Sequence, residues 1–297
     1  MMERDATERC RDNQPIRSRV AVLMTCHNRR RLTLRCLSSL MAAAEYVQSS
    51  VSVDTFLVDD GCTDGTSDAV RSDFPQVKII AGTGNLFWCG GMRLAWAHAG
   101  AGNYDAYLWL NDDVVLDDDA IDRLLIPFHE GQRADGAVIV VGTTRNEGVG
   151  PAMLSASYGG MGANGVMQPS REARPIKLFN GNIVLVSRAA FQCLGNLSTA
   201  YTHGLGDIDY GIRANRAGVP ALLAADTHGS CAANKLARWR QHDLSLWRRL
   251  YELHRPTGCP PWQLARLLWS DGRWWFPWSV AKLYWQACFP SRRTGAS

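Results

Sequence analysis

The sequence predicts an α/β fold: a mostly parallel central sheet flanked by helices, with a helical C-terminal appendage. Three observations carry this. Short apolar runs alternate with helical spacings through about the first 230 residues, several of those runs stop at Asp- or Asn-rich turns, and cations and tryptophans crowd the end of the chain. Crossovers between successive strands are right-handed and return over the sheet, so alternation implies parallel pairing with helices on both faces. In such sheets ligands gather at the carboxyl ends of the strands.

The elements follow in order. Residues 20–24 form an apolar run ending in Thr25, Cys26, His27 and Asn28, after which Leu32, Cys36, Leu37 and Leu40 keep helical spacing. Residues 55–58 run into Asp59, Asp60, Gly61, Cys62, Thr63, Asp64 and Gly65, a turn signal, with Thr66 or Ser67 as cap of the next helix. A third strand at 77–80 leads through Gly82, Thr83, Gly84 and Asn85 to a helix over 91–99. The fourth, 106–110, stops at Asn111, Asp112 and Asp113, and Asp117 to Asp119 are expected to cap the helix reaching Leu125. Residues 143–175, rich in Gly, Ser and Asn, read as a mobile loop region. A strand at 183–186, a short helix at 189–194, a helix ending at Gly218 as a left-handed stop, and a strand at 219–224 delivering Asp226 and His228 complete this part.

Composition narrows the class. With 297 residues, 46% hydrophobic and 20% charged, the chain suits one large domain or a domain with an appendage, and long disordered or collagen-like stretches are excluded. Nine cysteines, an odd number without a CxxC pair, argue against a disulfide scaffold or zinc ribbon and suit a reducing, cytoplasmic setting. Residues 1–19 are polar and read as a flexible tail without the apolar core of a secretory signal. No uncharged apolar run reaches the roughly 20 residues that a membrane-spanning helix needs.

Asn111, Asp112 and Asp113 sit directly after an apolar strand, where neighbouring carboxylates repel unless a cation joins them. A hard divalent ion, Mg²⁺ or Mn²⁺, takes such oxygen ligands and completes its shell with substrate phosphates. For the triplet taken alone, a helix-capping acidic turn is the commoner explanation. Trp88, before Gly90 and Gly91, reads as a pocket wall or a core ring, and Cys89 as a small core residue.

Five ordered stretches resemble glycosyltransferase family 2, the inverting nucleotide-sugar enzymes of GT-A fold, including rhamnosyltransferase-like bacterial members. Thr25 to Arg29 resembles the "T-x-x-N-R" loop, and Val58 to Thr66 the "V-D-[DN]-G-S-T-D-G-T" element. Gly84 to Met92 is similar to the Asn- and Gly-rich stretch before the third helix, Leu110 to Val114 to the D-x-D motif, and Gly206 to Gly218 to the "E-D-x-D-L-x-x-R" block. The resemblance implies a nucleotide-sugar site drawn from Thr25, Asn28, Arg29, Asp59, Asp60, Gly84, Asn85, Gly91, Asn111, Asp112 and Asn182. Within it, Asp59 would accept from a base N–H. Asp113, with His228 as an extra ligand, would bind the metal, and Asp207 would be the general base, with Asp209 as the competing candidate. Two departures stand out: Asn111 replaces the motif's first aspartate, and Gly206 replaces the glutamate before the base.

The last 63 residues carry 11 Lys and Arg against 3 acids, while the first 234 carry 21 against 25. The same 63 residues hold eight of the eleven tryptophans, a mixture suited to a membrane interface. Helices are expected over 243–254, 262–269 and 280–288, interrupted by Pro256, Pro260, Pro261 and Pro277. The resulting expectation is a tail (1–19), a catalytic domain (20–234) and a basic, Trp-rich helical region (235–297). The last would dock on an anionic membrane surface at the inner face of the membrane. No nucleic-acid motif accompanies these cations, so no nucleic-acid partner is expected. The expected activity is metal-dependent transfer of a sugar from a nucleoside diphosphate donor to a hydroxyl of a glycan or lipid-linked acceptor, in surface polysaccharide synthesis. A nucleotidyltransferase, or a catalytically degenerate scaffold, is the alternative.

Overall fold

A computed structural model describes residues 18–148, 156–162, 165–232 and 237–290. Most of the expected tail and the expected boundary at 234/235 lie outside the described residues. The chain opens with β1 (Ser18–Cys26), α1 (Arg30–Tyr46), β2 (Val51–Asp59), α2 (Thr66–Asp73), β3 (Lys78–Ala81), α3 (Phe87–Gly100) and β4 (Ala106–Leu110). Then come β5 (Val115–Leu116), α4 (Ala120–Asp135), β6 (Ile139–Val141), β7 (Thr144–Arg145), β8 (Ala156–Tyr158), β9 (Gly160–Gly162) and β10 (Gly165–Val166). The remainder is β11 (Arg174–Ile176), β12 (Leu178–Phe179), β13 (Ile183–Ser187), α5 (Arg188–Leu194), α6 (Gly206–Arg216), β14 (Ala221–Leu223), β15 (Gly229–Ser230), a 3₁₀ turn (Arg238–Arg240), α7 (Leu246–His254), α8 (Pro261–Ser270) and α9 (Phe276–Cys288).

The main sheet has the order β11-β14-β6-β13-β4-β1-β2-β3. β3, β2, β1 and β4 pair in parallel, as α1, α2 and α3 return the chain over the sheet. β13 runs antiparallel between β4 and β6. No crossover helix immediately precedes it: a turn at Asn180–Asn182 feeds it, which parallel pairing would not allow so directly. The central strands β4, β6 and β13 are buried on both faces, and their apolar runs are accordingly continuous. One face packs α1 and α4 through Cys36, Leu37, Leu40, Ile121 and Leu124, and the other packs α3 and α6 through Met92, Trp96 and Tyr210.

Three local expectations need correction. Residues 143–175 are not simply a mobile loop: their described part forms β7 to β11, which pair in small sheets or along the edge of the main one. Strands of two or three residues with glycine leave no period to detect. Asp117 does not cap α4; its carboxylate receives Arg145 at 2.7 Å and Arg123 at 3.2 Å. α9 begins earlier than expected, at Phe276, because Pro277 is tolerated in the first turn, where its missing N–H costs nothing.

The C-terminal helices enclose a small cluster of Trp239, Leu253, Leu283 and Ala287, while Leu267 of α8 packs with Cys89, Tyr201 and Ile212. Gln263 donates to Thr202 Oγ1 at 3.0 Å across that contact. Of the eight tryptophans here only Trp239 is buried; Trp247, Trp274 and Trp278 are 80%, 77% and 77% exposed. No helix among the described residues is long and apolar enough to cross a membrane.

Candidate active site

Register builds the site. β1 lies between β2 and β4, with Cys26 opposite Asp59 and Leu23 opposite Trp109, so the segments after these three strands emerge on one rim. Antiparallel β13 places Ile183 opposite Leu110, which brings Asn182 to Asn111 from the other side. The first turn of α6 then closes the wall, where Gly181 N–H donates to Asp207 Oδ2 at 2.9 Å.

These segments bound a cleft of about 640 Å³, within the usual size for a small-molecule site. Of the residues expected from sequence, Thr25, Arg29, Asp60, Gly84, Asn111, Asp112, Asp113, Asn182 and Asp207 line it. Asn28, Asp59, Asn85, Gly91, Asp209 and His228 do not.

The acidic triplet is differentiated. Asn111 is fully engaged: its Oδ1 accepts from Trp88 Nε1 at 2.7 Å and its Nδ2 donates to Asn182 Oδ1 at 2.8 Å. Asp112 is buried, and burial pushes its carboxyl up to about 6; Arg29 works against this and the Asp113 charge adds to it. Arg29 Nη1 donates to both Asp112 Oδ1 and Asp113 Oδ2 at 2.9 Å. The cation that joins these carboxylates here is therefore a side chain.

Asp207 sits in the first turn of α6. Oδ1 accepts from Ile208 N–H at 2.9 Å and Oδ2 from Gly181 N–H, and desolvation raises its carboxyl above the ordinary value despite these donors. The missing glutamate at Gly206 has a local reason: a Cβ there would run into Cys89 Sγ. Asp209, the competing base, is buried and held by Arg213 Nε at 2.8 Å, away from the cleft.

Other expectations are redirected. Asp59 is engaged within its own turn and is not part of the cleft lining: Oδ1 accepts Cys62 N–H at 2.6 Å and Oδ2 accepts the Ser67 hydroxyl. Burial opposes its charge, but these donors outweigh burial and hold its carboxyl below the ordinary range. Asp60 collects the N–H groups of Gly84, Leu86 and Phe87 at 2.7–2.9 Å and shapes the entry to α3. Asn28, with φ 50°, accepts from Thr63 N–H at 2.7 Å, and Gly91 leaves room for Thr25, whose hydroxyl occupies the space of the absent side chain.

His228 is not at the metal position expected for it. It is fully buried, neither ring nitrogen has a hydrogen-bond partner among the described residues, and burial, followed by the Arg123 charge, lowers its pKa to about 3. The neighbouring strand end supplies Cys231 instead, which lines the cleft with Sγ 3.6 Å from Asp113 Oδ1. Sequence reading also missed Tyr158, His203, Arg255 and Thr257 in the lining. Cys231 lies three residues past His228, just after a strand of two residues, a spacing without a signature; the other four lie in or beside irregular segments. Beside the cleft, Cys26, Asp59 and Cys62 offer ligand atoms all within 4.8 Å of one another, a donor set softer than Mg²⁺ or Mn²⁺ prefers.

This sheet, with its cleft at the strand ends, is a GT-A-type glycosyltransferase fold. It superposes on the mannosyltransferase PcManGT from Pyrobaculum calidifontis in complex with GDP-Man and Mn²⁺ with a TM-score of 0.56 at 16% identity, covering 95% of this chain and 77% of that one. The 1–349 fragment of S. aureus TarS in complex with UDP-GlcNAc gives 0.53 at 12% identity, covering 86% and 72%. The family model described as Glycosyl transferase family 2 matches residues 21–194, and the chain belongs to that family. It is also similar to the N-acetylglucosaminyl-diphospho-decaprenol L-rhamnosyltransferases of two Mycobacterium tuberculosis strains, CDC 1551 / Oshkosh and ATCC 25618 / H37Rv. Each is 29% identical over 211 residues, which is 62% of this chain and 66% of theirs, just under two thirds of the relatives' length.

Proposed function

We propose that the protein is an inverting glycosyltransferase, moving a sugar, by analogy with its relatives a deoxyhexose such as L-rhamnose, from a nucleoside diphosphate donor to a hydroxyl of a lipid-linked acceptor. The product would be a step in surface glycan assembly. The observation that carries this reading is that Asp207 and the Asp112–Asp113 pair, far apart in sequence, line one cleft.

An alcohol attacks poorly at neutral pH, so a carboxylate must accept its proton as the new bond forms. Asp207 suits this role. Two backbone N–H groups orient it, and its raised pKa makes it a stronger base than a free carboxylate. Attack from its side, opposite the leaving diphosphate, inverts the sugar centre. Asn180 Oδ1, buried in the cleft lining without a partner among the described residues, is suited to accept from a sugar hydroxyl. Arg29 would face the charge developing on the leaving group.

The residues present fit a divalent ion held mainly by substrate. Asp113 Oδ1, the oxygen not taken by Arg29, would be its carboxylate ligand, as Mg²⁺ and Mn²⁺ sites commonly use one or two carboxylates plus phosphates. Such an ion would neutralise charge on the departing diphosphate. His228 has no part in it. The exposed tryptophans and cations of α7 to α9 would hold the protein peripherally on an anionic membrane, on the cytoplasmic side.

The test is transfer from a panel of nucleotide sugars to a synthetic N-acetylglucosaminyl-diphospho-polyprenol in the presence of Mn²⁺. Transfer by wild type that is lost in both Asp113→Ala and Asp207→Asn supports the reading. Unchanged transfer in both variants overturns the catalytic assignment, and no transfer by wild type with any donor would favour a scaffold.

A further inference from the structure

Three arginines converge on one buried carboxylate at the edge of the cleft. Glu252, 3% exposed, lies 2.9 Å from Arg248 Nη2, 3.6 Å from Arg238 Nε and 3.6 Å from Arg255 Nη1. Arg248 and Glu252 lie one turn apart on α7, Arg255 is the extended residue that ends the helix, and the 3₁₀ turn carrying Arg238 packs beside them. All three guanidiniums are about half exposed, so one acid leaves two positive charges in excess and open to a ligand.

The cluster is built rather than incidental. Tyr251 lies beneath Arg248 and Arg255, whose guanidinium carbons are 5.1 and 6.0 Å from its ring centre, so stacking and the shared carboxylate both restrict them. After α7 the chain doubles back at Gly258, where a Cβ would collide with the carbonyls of Glu252 and Leu253. This turn sets Thr257 beside Arg255 in the cleft lining. The cluster thus connects the site of Asp207 to the tryptophan-bearing helices.

A single bridging acid would be satisfied by one arginine. Three forks with surplus charge suit a ligand bearing several phosphate oxygens, because planar guanidiniums bind such oxygens in pairs. We infer that Arg238, Arg248 and Arg255 form a diphosphate-binding site for the acceptor, gripping the group that joins its sugar to its lipid. This rests on the acceptor class proposed above. The donor's own diphosphate belongs beside Arg29 and Asp113, so the two phosphate sites would flank the reacting atoms from different walls. The tryptophan face would take the lipid that follows.

The experiment measures binding to the full-length protein by calorimetry, so it reads independently of catalysis. The probes are a short-chain N-acetylglucosaminyl diphosphate lipid, its phosphate-free alkyl glycoside, a nucleoside diphosphate, and vesicles with or without phosphatidylglycerol. Wild type should prefer the diphosphate lipid to the alkyl glycoside. Arg248→Gln and Arg255→Gln should each weaken the diphosphate lipid about tenfold. Affinity for the alkyl glycoside and for vesicles should hold, and Arg255→Lys should recover part of the loss. Equal affinity of wild type for the two glycosides, or unchanged diphosphate affinity in the variants, overturns the site. A loss confined to the nucleoside diphosphate would reassign Arg255 to the donor, and one confined to phosphatidylglycerol vesicles would reassign the cluster to lipid headgroups; either overturns the inference. If the wild type binds the diphosphate lipid as expected but transfers nothing to it, the transfer reading fails and this one stands.

Discussion

A single nitrogen of Arg29 donates to Asp112 and Asp113 at once, each at 2.9 Å, and thereby holds two adjacent carboxylates at the rim of the cleft. Replacing it with glutamine leaves a buried carboxylate beside a second acid with no countercharge. The expected cost of Arg29→Gln at pH 7 is about 1–3 kcal/mol, seen as a fall of several degrees in melting temperature. Because the Asp112 carboxyl titrates near 6, it is mostly neutral at pH 5. Calorimetry should therefore find a smaller loss there; an equal loss at both pH values would count against this pairing.

Asp207 and Asp209, two residues apart, are expected to separate chemistry from stability. Asp207→Asn should lower kcat for sugar transfer by about 10²–10⁴. Asp209→Asn removes the carboxylate partner of Arg213 and should cost about 1–3 kcal/mol of stability while leaving the proton acceptor in place. Steady-state transfer and thermal melts of both variants check this. Since the base works deprotonated and desolvation raises its pKa, the transfer rate should fall on the acid side, beginning above the pH at which a free aspartate titrates.

His228 predicts a pH dependence of folding. Its pKa is about 3 in the folded chain and 6.5 as a free side chain, so the unfolded state binds the proton first. Its contribution is present above pH 6.5 and is lost as the pH falls toward 3, with a slope of about 1.4 kcal/mol per unit. Urea titrations at several pH values should show a shallower decline for His228→Leu than for wild type, whatever the variant's absolute stability. Identical slopes would mean that the imidazole is charged in the fold.

The exposed indoles make a separate prediction. Each ring buried at an interface removes about 150–250 Å² from water, so losing Trp274 and Trp278 together should sharply reduce binding to anionic vesicles. Flotation of the Trp274→Ser, Trp278→Ser double variant should recover several-fold less protein than wild type. Equal recovery would assign these rings to a different contact.

The sequence made the frame legible because β1, β2, β4 and α6 each combine a long enough pattern with a marked ending. The Asp-rich turn after β4 and the Gly218 stop of α6 are examples. Individual side-chain directions were less legible. Asp59 and Asp60 are neighbours, yet one turns to Ser67 and Cys62 while the other turns to the entry of α3, and no periodicity distinguishes them. His228 and Cys231 differ in the same way, since β15 is two residues long and its placement depends on β5 and β7. Arg255 enters the cleft from an appendage whose docking is decided by contacts such as Gln263 with Thr202, formed between segments distant in sequence.

Gly206 and Cys89 share one volume, and this orders any pair of substitutions that would place a glutamate beside the base. A larger residue at 206 arriving first would meet the sulfur, whereas Cys89→Ala arriving first clears it, since the two Cβ positions are 3.7 Å apart. The two positions are therefore coupled, and a conservative exchange in the core is the gate to placing an acid beside the base.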